Sequence, residues 1–109
     1  MMIKQTENEV KSAVKKYLEV NGYTVYSINN AGMNVAKKGD RPLWFAGMVA
    51  LKPGCRIVFV DTKSKVKKPT DDKDLFLNLV NHCNDIGIWA DSLDMFVEKF
   101  DKQILIYEI

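Results

Sequence analysis

Long apolar runs are missing from this 109-residue chain: 47% of its residues are hydrophobic, yet no stretch approaches the roughly 20 apolar residues of a membrane span. The start, Met1-Met2-Ile3-Lys4-Gln5, also lacks the apolar segment of a secretory signal, so a cytoplasmic protein without a membrane partner is the expectation. Cysteine is scarce. Cys55 and Cys83 have no metal-ligand spacing, which speaks against a disulfide or a thiolate metal site and predicts buried free thiols, one in a strand and one in a helix. Histidine is scarcer still, and His82, alone on a helix, reads as a packed or surface residue rather than a ligand. With no repeat, low-complexity stretch or internal linker, residues 1–109 read as a single domain with one core.

Charge is present but unevenly placed. Residues 1–69 carry thirteen Lys/Arg against five Asp/Glu, a balance of +8, whereas residues 70–109 carry three against nine, a balance of −6. The basic half includes Lys37, Lys38, Lys63, Lys65, Lys67 and Lys68, a set able to neutralise phosphates and release counterions or, in the plainer reading, to keep a sheet edge soluble. The acidic half suits solvent, the basic half of another subunit, or a basic protein partner.

Hydrophobic spacing predicts the order α-β-β-β-α-β-α-β. Thr6 caps a helix with apolar positions Val10, Val14, Tyr17 and Leu18, stopped by Asn21-Gly22. A strand covers Tyr23 to Ile28, and the Asn-, Gly- and Lys-rich segment 29–42 is a loop suited to binding. Leu43 to Leu51 and Ile57 to Thr62 form a hairpin across Lys52-Pro53-Gly54-Cys55. Thr70 or Asp71 caps a second helix that faces the core with Leu75, Leu79 and His82/Cys83 and ends at Gly87. A short strand Ile88 to Ala90, a helix capped by Asp91 or Ser92 and running to Phe100, and an alternating strand Gln103 to Ile109 complete the chain.

The most informative stretch is Arg56-Ile57-Val58-Phe59-Val60-Asp61-Thr62-Lys63, an apolar strand ending in an acid, a spacer and a lysine. Side chains alternate along a strand, so Asp61 and Lys63 share a face about 7 Å apart. A carboxylate can hold a divalent cation, and a neighbouring ammonium can orient water or neutralise a phosphate, the combination that phosphodiester hydrolysis uses. The same three residues also occur on ordinary solvated sheet rims.

The order and spacing of several fragments resemble the VRR-NUC group of PD-(D/E)XK nucleases, small stand-alone versions of which are typical of phages. The fragments are Thr6-Glu7-Asn8-Glu9-Val10-Lys11, Tyr17-Leu18 before Gly22, Ile28-Asn29-Asn30-Ala31-Gly32, Lys52-Pro53-Gly54-Cys55-Arg56, Val58-Phe59-Val60-Asp61-Thr62-Lys63, Lys67-Lys68-Pro69, and Gly87 followed by Asp91-Ser92-Leu93. The resemblance covers about Thr6 to Phe100. It implies an α/β restriction-endonuclease-like core, a central mixed sheet flanked by helices. It also implies a Mg²⁺- or Mn²⁺-dependent DNA endonuclease whose metal polarises the scissile phosphate and activates water. For a phage protein the location would be the host cytoplasm. Carried over by position, Glu7 matches the helix acid, with Glu9 as runner-up, Asp61 the strand acid and Lys63 the lysine. The resemblance thus implies Asp61 and Glu7 as metal ligands, to which Asp40 is added below as a substitute, and the candidate DNA-contacting residues, taken from the run of basic side chains, are Lys37, Lys38, Lys65, Lys67, Lys68 and Lys73.

The sequence departs from that pattern at one decisive place. Anchored on the Pro-Gly turn, the second-strand aspartate falls on Ala46-Gly47, and glycine offers a metal no side chain. Asp40, in Gly39-Asp40-Arg41-Pro42 just before the strand, is the substitute. Ser27 and Lys73 also stand where relatives carry a basic residue and a glutamine, and the strand after Gly87 reads as shortened. Three functions therefore stay open. The first is a metal-dependent nuclease acting on branched or structured DNA through Glu7, Asp40, Asp61 and Lys63. The second is an inactive nuclease fold that keeps its DNA-binding surface. The third is a protein-interaction module, such as a phage-encoded inhibitor of a host nucleic-acid enzyme, using the acidic half or Trp44, Phe45 and Trp89. Phe45 and Trp89 read equally as core. One small sheet with unpaired edges and oppositely charged halves also suits a homodimer.

Overall fold

The structure is a computed structural model that describes residues 6–28, 47–63, 69 and 71–108. Its elements are α1 (Glu7–Val20), β1 (Thr24–Ile28), β2 (Gly47–Leu51), β3 (Val58–Thr62), α2 (Asp71–His82), β4 (Ile86–Ala90) and α3 (Leu93–Glu108). The four strands lie in one mixed sheet in the order β1-β2-β3-β4. The first three are antiparallel neighbours, and β4 runs parallel to β3 after the α2 crossover.

Each element follows from local chemistry. Thr6 caps α1 by accepting the Glu9 amide at 3.2 Å, while the Glu9 carboxylate accepts the Thr6 amide at 3.4 Å, a reciprocal capping box. Val10, Val14 and Leu18 then recur on one face and are fully buried. Gly22, at φ +93°, turns the chain into β1. The Pro53-Gly54 turn joins β2 to β3, with Gly54 at φ +77° and the Cys55 amide bonded to the Lys52 carbonyl. Ser92 caps α3, its Oγ accepting the Met95 amide at 3.1 Å.

The core lies between one sheet face and the pair α1 and α3. Met48, Ala50, Val58, Val60, Ile86, Ile88 and Ala90 point into it from the strands and meet Val10, Val14, Leu18, Phe96 and Phe100. Tyr17 packs edge-on against Phe96 and Phe100, which stack on each other with ring centroids 5.4 Å apart. The opposite face carries the odd-numbered residues, Phe59, Asp61, Gly87 and Trp89, and α2 covers its β4 side. Phe59 meets Phe76 of α2 edge-on at 5.6 Å.

Four expectations are corrected. The segment Gln103 to Glu108 is the end of α3, not a strand. Its residues alternate, but Phe96, Phe100 and Ile104 also repeat every four, no glycine or proline intervenes, and packing of that stripe on the core decides for the helix. Helix α2 presents Leu77 and Val80 inward, whereas Leu75 and Leu79 are 66% and 62% exposed and His82 and Cys83 are exposed. Apolar residues occupy both faces of α2, so periodicity alone does not select one; contact with β4 does. Gly87 does not end α2, which stops at His82; Asn84, at φ 68°, makes the turn, and Gly87 lies inside a full five-residue strand. Cys55 and Cys83 are exposed thiols in a turn and beyond a helix end, not buried ones.

The edge strand β4 is sealed by side chains. Asn81 of α2 accepts the Gly87 amide at 2.7 Å and donates to the Gly87 carbonyl at 3.0 Å, reproducing the bonds of a neighbouring strand. Lys99 of α3 donates to the Trp89 carbonyl at 2.9 Å and sits 4.1 Å from the Trp89 ring centre. Burial lowers the Lys99 ammonium below its ordinary range, against the pull of Asp91, Asp74 and Glu98. Trp89 is therefore half-buried beneath a lysine, a structural rather than a free aromatic.

Candidate functional site

Asp61 is the one charged residue in the buried interior among the described residues, 1% exposed near the end of β3. It stands beside Trp89 of β4 on one side. On the other side the β2–β3 register pairs Met48 with Val60, so one further step sets Gly47 opposite Asp61 and on the same sheet face. The Lys63 amide continues the ladder beyond β3 by bonding to the Ala90 carbonyl at 2.9 Å, which keeps Lys63 in strand alternation with Asp61.

Two ammonium groups converge on this carboxylate. Lys63 Nζ lies 3.7 Å from Asp61 Oδ2, and Lys73 Nζ, from the first turn of α2, lies 3.7 Å from Oδ1. Oδ2 is buried without a hydrogen-bond partner. Burial raises the Asp61 carboxyl above its ordinary 3.8; Lys73 and then Lys63 pull it back, and the charge of Glu7 pushes it further up. Glu7 is therefore an electrostatic neighbour of Asp61, although its own side chain is exposed at the start of α1. Glu9, the runner-up, is engaged in the capping box.

Of the residues expected at the site, Asp61, Lys63, Lys73 and Glu7 are brought together at this end of the sheet. Asp40, Lys37, Lys38, Lys65, Lys67 and Lys68 lie outside the described residues, as do Trp44 and Phe45. The role of Lys73 as a direct partner of Asp61 exceeds its sequence reading as a surface phosphate contact. Its position two residues into a helix after Pro69 was the available signal. The side-chain seal on β4 by Asn81 and Lys99 had none.

The described residues do not fit a hard divalent cation. Such ions take several oxygen ligands, favouring anionic ones, and no group of three or more His, Cys, Asp or Glu is assembled among the described residues. Gly47 supplies no carboxylate opposite Asp61, and both Asp61 oxygens already face an ammonium. At an effective dielectric near 20, two unit charges 4 Å apart interact by about 4 kcal/mol. Each lysine left in place would therefore cancel part of the attraction that a dication gains from Asp61. Two lysines against Asp61 and the nearby Glu7 leave this end of the sheet close to neutral, so what it offers an anion such as a phosphodiester is ammonium N–H donors rather than a net charge.

No family model, curated protein or solved structure matches this chain. What is established is a mixed α/β fold with, among the described residues, four strands, three helices and one buried, doubly lysine-paired aspartate. No helix among the described residues is long and apolar enough to cross a membrane.

Proposed function

We propose that this chain is a nucleic-acid-binding protein on a restriction-endonuclease-like core, with Asp61, Lys63 and Lys73 facing a backbone phosphate. The observation that carries the reading is the Asp61-Thr62-Lys63 pair at the end of an inner strand, its carboxylate buried and charge-paired where an ordinary sheet rim would leave it solvated. Buried ionised groups are unfavourable unless compensated, so their concentration at a strand end marks a functional site. The α-β-β-β-α-β order and a mixed sheet with helices on both faces agree with the nuclease resemblance. The basic balance of residues 1–69 supplies the electrostatic attraction, with Lys37, Lys38, Lys65, Lys67 and Lys68 as further phosphate contacts.

Phosphate binding follows from the charges themselves. Lys63 and Lys73 place two ammonium groups beside one another, and Asp61 between them fixes their spacing. A phosphodiester oxygen approaching both lysines gains charge-assisted hydrogen bonds. Hydrolysis would need a second carboxylate, for which Asp40 is the candidate in the sequence. An inactive interaction module is the competing reading, favoured by Gly47 opposite Asp61.

The deciding experiment is fluorescence-anisotropy binding of duplex, nicked and branched DNA over a salt series, run beside a cleavage assay with Mg²⁺ and Mn²⁺. The expected result is binding that weakens with salt, with a shallower log–log slope, by about 0.9 per lost contact, in Lys63→Gln and Lys73→Gln. No binding to any of these DNAs at low salt would refute the nucleic-acid reading.

A further inference from the structure

The disagreement between this site and a divalent cation has its own content. Each carboxylate oxygen of Asp61 has a different ammonium 3.7 Å away, from two elements, the end of β3 and the first turn of α2. Both lysine side chains are largely withdrawn from solvent, 14% and 18% exposed, so their heads are built into the site rather than waving over it. Helix α2 carries Lys73, and it is pressed against β4 so tightly that a Cβ on Gly87 would lie 2.5 Å from the Leu77 carbonyl oxygen. The position of Lys73 is thereby set by the packing of a whole helix. On the other flank, Gly47 stands where a carboxylate would be needed to outweigh these charges.

From this geometry we infer that Lys73 is a resident cation: its ammonium, together with that of Lys63, supplies at Asp61 the positive charge that a metal-dependent nuclease site takes from a divalent ion, and the site engages phosphate without metal. This rests on the phosphate-binding reading above for its ligand, but not for the cation claim itself. The ammonium groups counter the Asp61 carboxylate in place of a metal, and their N–H donors, rather than a net charge, are what engages the phosphate. A divalent ion would have to displace Lys73 while gaining, among the described residues, one buried carboxylate in return, an unfavourable exchange for an ion that holds its own water tightly.

The test is Mn²⁺ binding to the full chain, read by the loss of the free-ion electron paramagnetic resonance signal, with DNA binding measured separately in EDTA. The wild type is expected to show no saturable Mn²⁺ site up to roughly 1 mM, the range of weak oxygen-ligand sites. Lys73→Gln/Gly47→Asp, which removes the cation and adds a carboxylate, is expected to bind one Mn²⁺ at least about tenfold more tightly. Lys73→Gln alone, which removes the charge while keeping most of the side chain, should already strengthen binding. A wild-type Mn²⁺ site below 1 mM that Asp61→Asn or Asp40→Asn abolishes would overturn the inference, as would equal Mn²⁺ affinity in wild type and both Lys73 variants. DNA binding lost in EDTA and restored by Mn²⁺ would also overturn it. Absence of DNA binding under every condition would instead refute the phosphate reading and leave the Mn²⁺ comparison to decide the role of Lys73.

Discussion

Replacing Gly87 with alanine should drive α2 away from the sheet. An added Cβ would lie 2.5 Å from the Leu77 carbonyl oxygen, 3.0 Å from its Cα and 3.1 Å from its carbonyl carbon. All three are backbone atoms of α2, so no flexible side-chain tip can yield; the helix itself has to move. It cannot move freely, because Asn81 holds the Gly87 amide and carbonyl at 2.7 and 3.0 Å, and Phe76 packs on Phe59. Overpacking of this kind costs about 3 kcal/mol. Alanine restricts the unfolded chain and returns roughly 0.5–1 kcal/mol, leaving a net loss of about 2 kcal/mol. For a domain of this size that is a fall in Tm of roughly 8 °C. Urea and thermal unfolding of Gly87→Ala beside Gly54→Ala provide the measurement. At Gly54 a Cβ meets nothing within 4 Å and the φ of +77° alone opposes substitution, a strain of about 1 kcal/mol. Were Gly87→Ala to lose no more stability than Gly54→Ala, the close approach of α2 to β4 would be refuted, and with it the account of how Lys73 is positioned.

Two further outcomes follow from the same face of the sheet. Burial raises the Asp61 carboxyl above 3.8, so the folded state holds that proton more tightly than the unfolded chain; the contribution of Asp61 to stability is full below about pH 3.8 and is lost as pH rises through the elevated folded value. Asp61→Asn, which cannot titrate, should therefore flatten the fall in stability that wild type shows as pH rises, and urea melts in which variant and wild type keep the same pH dependence would contradict this. Asn81→Ala removes both side-chain bonds to Gly87 and should lose about 2 kcal/mol, with Asn81→Asp, which keeps only the acceptor, falling between; a Tm unchanged in Asn81→Ala would show that water closes the β4 edge equally well.

What the sequence made legible was whatever rests on local chemistry. Thr6, Asn21-Gly22, Pro53-Gly54 and Ser92 each set a boundary within a few residues of itself, and those boundaries stand where the residues put them. The face of α2 was not legible, because Leu75 and Leu79 repeat as well as Leu77 and Val80 do; the face that packs is the one whose Leu77 backbone lies directly against Gly87, ten residues on, a contact between distant positions that periodicity does not carry. The end of the chain was misread for a related reason. Residues 103–108 alternate like a strand, but an alternating segment has no partner strand unless the sheet has a free edge beside it, and the β4 edge is occupied by Asn81 and Lys99.

The same distinction governs the site. Asp61 and Lys63 could be placed on one face from strand alternation alone, whereas the approach of Lys73 depends on a crossover helix and on how deeply that helix seats. A short motif therefore located the carboxylate but not its charge environment. That environment bears on function more heavily than the motif does: a buried acid with open flanks attracts a metal, and the same acid between two ammonium groups, with glycine opposite, is already neutralised and leaves ammonium N–H groups to face an anion.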